Sequence, residues 1–224
     1  MSFINIVMLP DFISVISDGQ ITTNEVLTQS HFKKFESNPN GFVVGITGFE
    51  LITNNIRKKF YYQPNLNFEE AELLLRAELE KYKSKQVNFG QHISFNAVIA
   101  GFPIENPKVP KALSFHVANQ SISERYYEKS AILSLIPDDI SFNPNQIITD
   151  NLNKSLNITP TFQVQPLQRN ALYKVADQSK TVNKVIFQEI IEPKILTEVT
   201  ILAVSKKKTE SISLFFIVFL LISL

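Results

Sequence analysis

The chain has 224 residues, 44% of them hydrophobic, and a formal net charge of +1. That is enough apolar material for one sizeable core, and it lacks the positive excess of a protein that neutralises many phosphates, so nucleic acid is not an expected partner. The absence of cysteine excludes a disulfide framework, thiolate zinc sites and a cysteine nucleophile, and the three histidines (His31, His92, His116) lack metal-ligand spacing.

Phe3 to Met8 is apolar and β-branched, Leu9-Pro10-Asp11 is a turn, and Phe12 to Ser17 resumes strand character, which predicts a hairpin. Ile21 to Phe35 reads as a short strand and a connection. Gly41 to Ile46 is a compact apolar strand ending in Thr47-Gly48, and its near-continuous apolarity predicts cover on both faces. Helical periodicity follows over Phe49 to Tyr62, with Ile52, Ile56 and Phe60 in one stripe. Beyond Pro64, Asn67 is an expected N-cap, with Glu69, Glu70 and Glu72 complementing the dipole of a helix that runs to Tyr82.

Strands return at Ile93 to Ala100 and Ala112 to Ala118, joined by a hairpin loop containing Pro103, Pro107 and Pro110. Arg125 to Ile136 is expected as one further strand, stopped by Pro137-Asp138-Asp139. Pro144 to Leu156 and Pro166 to Asp177 predict two helices, the second with Leu167, Ala171, Leu172 and Val175 on one face. Val182 to Ile191 and Ile195 to Val204 close in β-rich sequence. Blocks of strands and paired helices predict an α+β fold: two antiparallel sheets face to face with a helical layer outside each, a four-layer αββα sandwich over residues 1–204.

Residues 205–224 form a basic, then apolar, tail. Ser211 to Leu224 carries no charge over fourteen residues, after Lys206-Lys207-Lys208. A membrane span needs roughly 20 apolar residues, so burial as a terminal strand or helix is favoured over a marginal membrane anchor or a sequence artefact. The apolar start has no basic region before it and stops at Pro10-Asp11, so it does not read as a secretory signal and the expected location is cytoplasmic. On that basis Asn119-Gln-Ser121, Asn153-Lys-Ser155 and Asn157-Ile-Thr159 are chance matches to the glycosylation pattern.

Ser2, Asp18, Lys34 and Gly48 are separated by sixteen, sixteen and fourteen residues. On the strand map Ser2 opens the first strand, Asp18 closes the second, Lys34 ends the next connection and Gly48 ends the following strand, so all four can meet at one sheet edge. Removal of Met1 would leave a hydroxyl and a free α-amine on Ser2. The amine, with an ordinary pKa of about 7.7–8.0, can serve as the base for its own hydroxyl. A buried Lys34 ammonium would stabilise the developing charge, Asp18 would orient Lys34, and the Gly48 N–H could meet an oxyanion.

This placement resembles the proteasome β-subunit family of N-terminal-nucleophile (Ntn) hydrolases, above all the bacterial two-component heat-shock peptidases, which carry the same Asp-Gly-Gln stretch as Asp18-Gly19-Gln20. Lys33-Lys34-Phe35, Gly45-Ile46-Thr47-Gly48 and Phe95 to Gly101 also match in kind. The family nucleophile is typically threonine, where this chain has Ser2. The Gly-Ser-Gly stretch of the family is replaced by Ala131-Ile-Leu-Ser-Leu135, which leaves Ser134 or Ser130 as the supporting hydroxyl. The Asp-x-x-Ser support is echoed only by Asp177-Gln-Ser179-Lys-Thr181.

The resemblance implies a proteasome-like amide or peptide hydrolase that needs no cofactor, acts on a peptide or amide substrate and assembles as a homo-oligomer. It does not identify an ATPase partner. The alternative within the same fold is a catalytically silent structural or binding subunit.

Overall fold

Two large antiparallel sheets, a third of two strands and four helices make up the described residues of the computed structural model, 2–23, 26–85, 93–152 and 161–194. Met1–Pro193 forms a unit by itself. The strand expected at Ile195 to Val204 and the apolar tail fall outside the described residues.

The first sheet has the order β10 (Ala131–Leu135), β1 (Ile4–Leu9), β2 (Phe12–Asp18), β11 (Ile186–Ile191). Its centre is the predicted hairpin: Leu9 pairs with Phe12 around Pro10-Asp11, and Ile4 pairs with Ser17 at the other end. The second sheet has the order β5 (Phe35–Asn38), β6 (Phe42–Gly48), β7 (Phe95–Gly101), β8 (Lys111–Ala118), β9 (Ser121–Glu128). A small separate hairpin, β3 (Ile21–Thr23) with β4 (Val26–Gln29), stands where one short strand was expected.

β6 is buried along almost its whole length, as its unbroken apolarity predicts. Its alternate residues serve two cores. Phe42, Val44 and Ile46 pack with Ile52 and Ile56 of α1 (Glu50–Tyr61) and with Leu75 of α2 (Phe68–Lys83). Val43 joins the core shared by the two sheets, which also holds Ile4, Ile6, Val15, Val98 and Ala100. The other face of β1 and β2 packs Phe3, Val7 and Ile16 against Leu172, Val175 and Ala171 of α4 (Thr161–Gln178), and against Ile148 of α3 (Pro144–Leu152).

The helices follow from their sequences. In α1 the Ile52, Ile56, Phe60 stripe is buried while Leu51 stays 65% exposed, and each buried side chain of that size contributes about 1.5–3 kcal/mol. In α2 the Asn67 side chain accepts the Glu70 N–H at 2.8 Å while Glu70 accepts the Asn67 N–H at 3.0 Å. This capping box is worth about 1 kcal/mol.

Two expectations needed correction. Arg125 to Ile136 is two strands in different sheets rather than one: the chain leaves β9 at Glu128, Lys129 takes φ 70°, and β10 begins at Ala131. β9 itself starts upstream, because Asn119 and Gln120 both adopt left-handed backbone (φ 50° and 63°) and close a two-residue hairpin turn. The last described helix begins at Thr161, so Pro166 lies inside it rather than at its start. One interior N–H is lost there, a cost that packing of Ala171, Leu172 and Val175 outweighs.

Candidate active site

Asp18 is the hub. It ends β2 fully buried, and both carboxylate oxygens are used. Oδ1 accepts the Phe3 N–H at 2.9 Å; Oδ2 accepts the Gln20 N–H at 2.8 Å and Lys34 Nζ at 2.5 Å. Hydrogen bonds to a charged acceptor are the stronger class, so this cluster is a rigid anchor. Gly19 is required by space: a Cβ there would lie 2.8 Å from the Ser30 carbonyl oxygen and 2.9 Å from Val185 Cγ1.

Lys34 reaches Asp18 from the connection before β5, where its carbonyl accepts the Ile46 N–H at 3.2 Å. The residue is 3% exposed. Burial pushes its pKa below the ordinary lysine value of 10.5. The charge and hydrogen bond of Asp18 oppose the shift, and the positive charge of Arg57 adds to it. Arg57 is itself held by Glu36, with Nε at 3.1 Å and Nη2 at 2.5 Å from the same Oε1, and its guanidinium lies 4.6 Å from the Phe32 ring centre.

Ser2 is half-buried and is positioned through its neighbour. The Phe3 side chain is fully buried against Ile16, Leu172 and Val175, and the Phe3 N–H is bound to Asp18, so the Ser2–Phe3 peptide is tied down at the Asp18–Lys34 pair. Gly48 ends the strand that carries Ile46, with φ +134°. A Cβ there would lie 2.5 Å from Phe95 Cβ and 2.8 Å from Phe95 Cα, so both the backbone conformation and the close strand approach demand glycine. Asp18 and Lys34 are thus in direct contact, Ser2 is fixed through Phe3, and Gly48 enters only through its strand.

The supporting groups anticipated further along are engaged elsewhere. Ser134 Oγ donates to Asn145 Oδ1 at 2.7 Å and accepts from Asn5 Nδ2 at 3.0 Å. Ser130 is an exposed turn residue. Asp177 pairs with Lys184 at the surface, and Ser179 Oγ contacts Thr181 Oγ1 at 3.0 Å within its own turn. That turn still touches the site loop, because Gln20 Nε2 donates to the Lys180 carbonyl at 2.8 Å.

Asn183 escaped the sequence reading. Its Oδ1 accepts the Gly19 N–H at 3.0 Å and the Val185 N–H at 3.2 Å, while Nδ2 donates to the Ser30 carbonyl at 3.0 Å. One side chain so latches the Asp18-Gly19-Gln20 loop to the segment that leads to Lys34. No spacing signal links a residue so distant in sequence to Asp18. Among the described residues no group of three His, Asp or Glu is placed to hold a metal ion.

No protein-family model matches the chain, and no curated protein matches it. Among solved structures it is similar to eukaryotic HslV from Trypanosoma brucei, with a TM-score of 0.53 and 14% identity, over 85% of this chain and 99% of that one. At that identity the likeness is one of fold alone: a mixed α and β architecture. No helix among the described residues is long and apolar enough to cross a membrane.

Proposed function

We propose that this chain is a proteasome-like N-terminal-nucleophile hydrolase of peptides or amides, a four-layer αββα sandwich over residues 1–204 with Ser2 as its nucleophile once Met1 is removed. The observation that carries the reading is the buried Asp18–Lys34 pair fastened to the N–H of the residue next to Ser2. The HslV-like fold and the cores lying between each helix pair and its sheet support the architecture. In the reaction Ser2 Oγ attacks the scissile carbonyl and the Ser2 amine takes its proton. Lys34 stabilises the charge, Asp18 orients Lys34, and the Gly48 N–H receives the oxyanion. The amine then protonates the leaving group, and water releases the ester. The proposal extends to a homo-oligomer in the cytoplasm, and the fold likeness supports the oligomer alone.

A second reading, a catalytically silent subunit, is favoured by one observation: Ser134 is committed to Asn5 and Asn145. Intact mass and N-terminal sequencing, before and after an electrophile that traps N-terminal hydroxyl nucleophiles, separates the two. A hydrolase loses Met1 and gains one adduct on Ser2. A retained Met1, or a free Ser2 that never reacts, marks the silent subunit.

A further inference from the structure

A cleft of about 400 Å³ opens between β1–β10 of one sheet and β7–β9 of the other, and none of Ser2, Asp18, Lys34 or Gly48 lines it. Strand alternation builds its two walls. Leu113, Phe115 and Val117 of β8 point into the core with α1 and α2, which turns Ser114 and His116 to the opposite face, toward the first sheet. The register then sets Val98, Ser114 and Arg125 abreast on three neighbouring strands, with Asn96, His116 and Ser123 abreast beside them. Facing them is an apolar surface of Ile4, Ile6, Leu133 and Leu135. One wall is aliphatic, and the other carries hydroxyls, an imidazole and a guanidinium.

The guanidinium belongs to an exposed residue of the cleft lining. Glu124, next to Arg125, points to the other face and pairs with Arg76, and Arg125 has no ion pair among the described residues. His116 Nδ1 lies 2.7 Å from Asn96 Oδ1. If the ring donates to that amide oxygen, the neutral tautomer leaves Nε2 as an acceptor. An unpaired cation, an acceptor for an N–H, hydroxyls and an aliphatic wall in one cleft of ligand size describe a specific chemistry. We propose that this cleft binds the C-terminal end of a peptide: the free carboxylate on Arg125, an aliphatic side chain against Ile4, Ile6 and Leu133, and an amide N–H toward His116. None of the four candidate site residues lines it, and the proposal does not depend on that site being catalytic.

The test is calorimetric titration of the full chain with acetyl-leucyl-leucine, its C-terminal amide and octanoate. The expected result is saturable binding of the free acid, with the amide and the Arg125→Gln variant each weaker by at least about tenfold, the usual effect of losing a charged hydrogen bond, and octanoate weaker because it lacks the amide N–H and the branched side chain. Ser2→Ala binds like the wild type. No saturable binding, equal binding of the amide, or an unaffected Arg125→Gln overturns the proposal. So does octanoate matching the peptide, which would mean a plain carboxylic acid site. Loss of binding in Ser2→Ala overturns it too, because the peptide would then be in the other site.

Discussion

Lys34 Nζ donates to Asp18 Oδ2 at 2.5 Å, and both side chains are almost wholly shut off from water. A pair this deep is asymmetric in its consequences: removing one partner costs far more than the pair contributes. Asp18→Asn keeps the shape and leaves the Lys34 ammonium buried without a counter-charge. The expected loss is about 3–5 kcal/mol of unfolding free energy, read from urea denaturation. Adding Lys34→Met to Asp18→Asn should recover part of that loss. A double variant no more stable than the single one would mean that the pair is not the source of the effect.

The lowered pKa of Lys34 fixes the sign of a pH effect. Its folded value lies below the ordinary 10.5, so between the two values the unfolded chain holds the proton more tightly. Within that window rising pH removes a cost from the folded state, and stability from this group increases. Thermal midpoints of wild type and Lys34→Met, compared as the pH is raised toward 10.5, should shift with wild type gaining relative to the variant. If Ser2 is the nucleophile, kcat/KM should rise through an amine pKa at or below about 7.7–8.0, because the Lys34 charge disfavours a second cation beside it. It should fall again as Lys34 discharges below 10.5.

Gly48→Ala tests the strand end. The substitution forces a side chain into φ +134° and onto Phe95. Backbone strain alone should cost about 1–3 kcal/mol. Gly45→Ala is the control: its Cβ would meet the Ile4 and Val98 side chains at 3.0 and 3.2 Å with no left-handed backbone, so its midpoint should fall less. Equal losses would place the cost in packing rather than conformation.

Asn183→Ala removes three hydrogen bonds between the Gly19 loop, the Ser30 carbonyl and Val185. Each is worth about 0.5–1.5 kcal/mol, so a global loss of roughly 2 kcal/mol is expected. The more specific readout is amide hydrogen exchange, which should quicken at Gly19, and at Phe32, whose N–H bonds the Gly19 carbonyl at 3.0 Å. Asp18 should loosen with them, so if the chain is a hydrolase its rate should fall more than its stability.

The strands with unbroken or alternating apolarity were legible from sequence, as was the Asn67 cap. Asp18 and Lys34 were legible by spacing and do meet. What escaped had physical reasons. Lys129 between β9 and β10, and Asn119-Gln120 before β9, turn the chain with left-handed residues other than glycine, which leave a weak turn signal, so the expected strand began late and ran through both. Pro166 reads as a helix start because proline is favoured there, but packing further along α4 overrides that preference. Gln168 stands between Leu167 and Arg169 and would be assigned to solvent, yet it is fully buried because Asn5 and Ser14 supply its partners. Those partners lie more than 150 residues away.

That buried trio has a consequence for alignment. β1 and β2 are apolar on both faces, so oiliness alone would tolerate a slip of one residue between them. Gln168 removes the tolerance: Nε2 donates to Asn5 Oδ1 at 2.8 Å and to the Ser14 carbonyl at 3.0 Å, and Oε1 receives the Ser14 hydroxyl at 2.5 Å. A slipped hairpin would strand all of these groups in a dry interior. The helix amide therefore works as a keyway cut for one setting of the hairpin, and that setting is the one that brings Phe3 opposite Asp18. The placement of Phe3, and with it Ser2, is in this sense set from behind, by a side chain whose bonds are to Asn5 and Ser14.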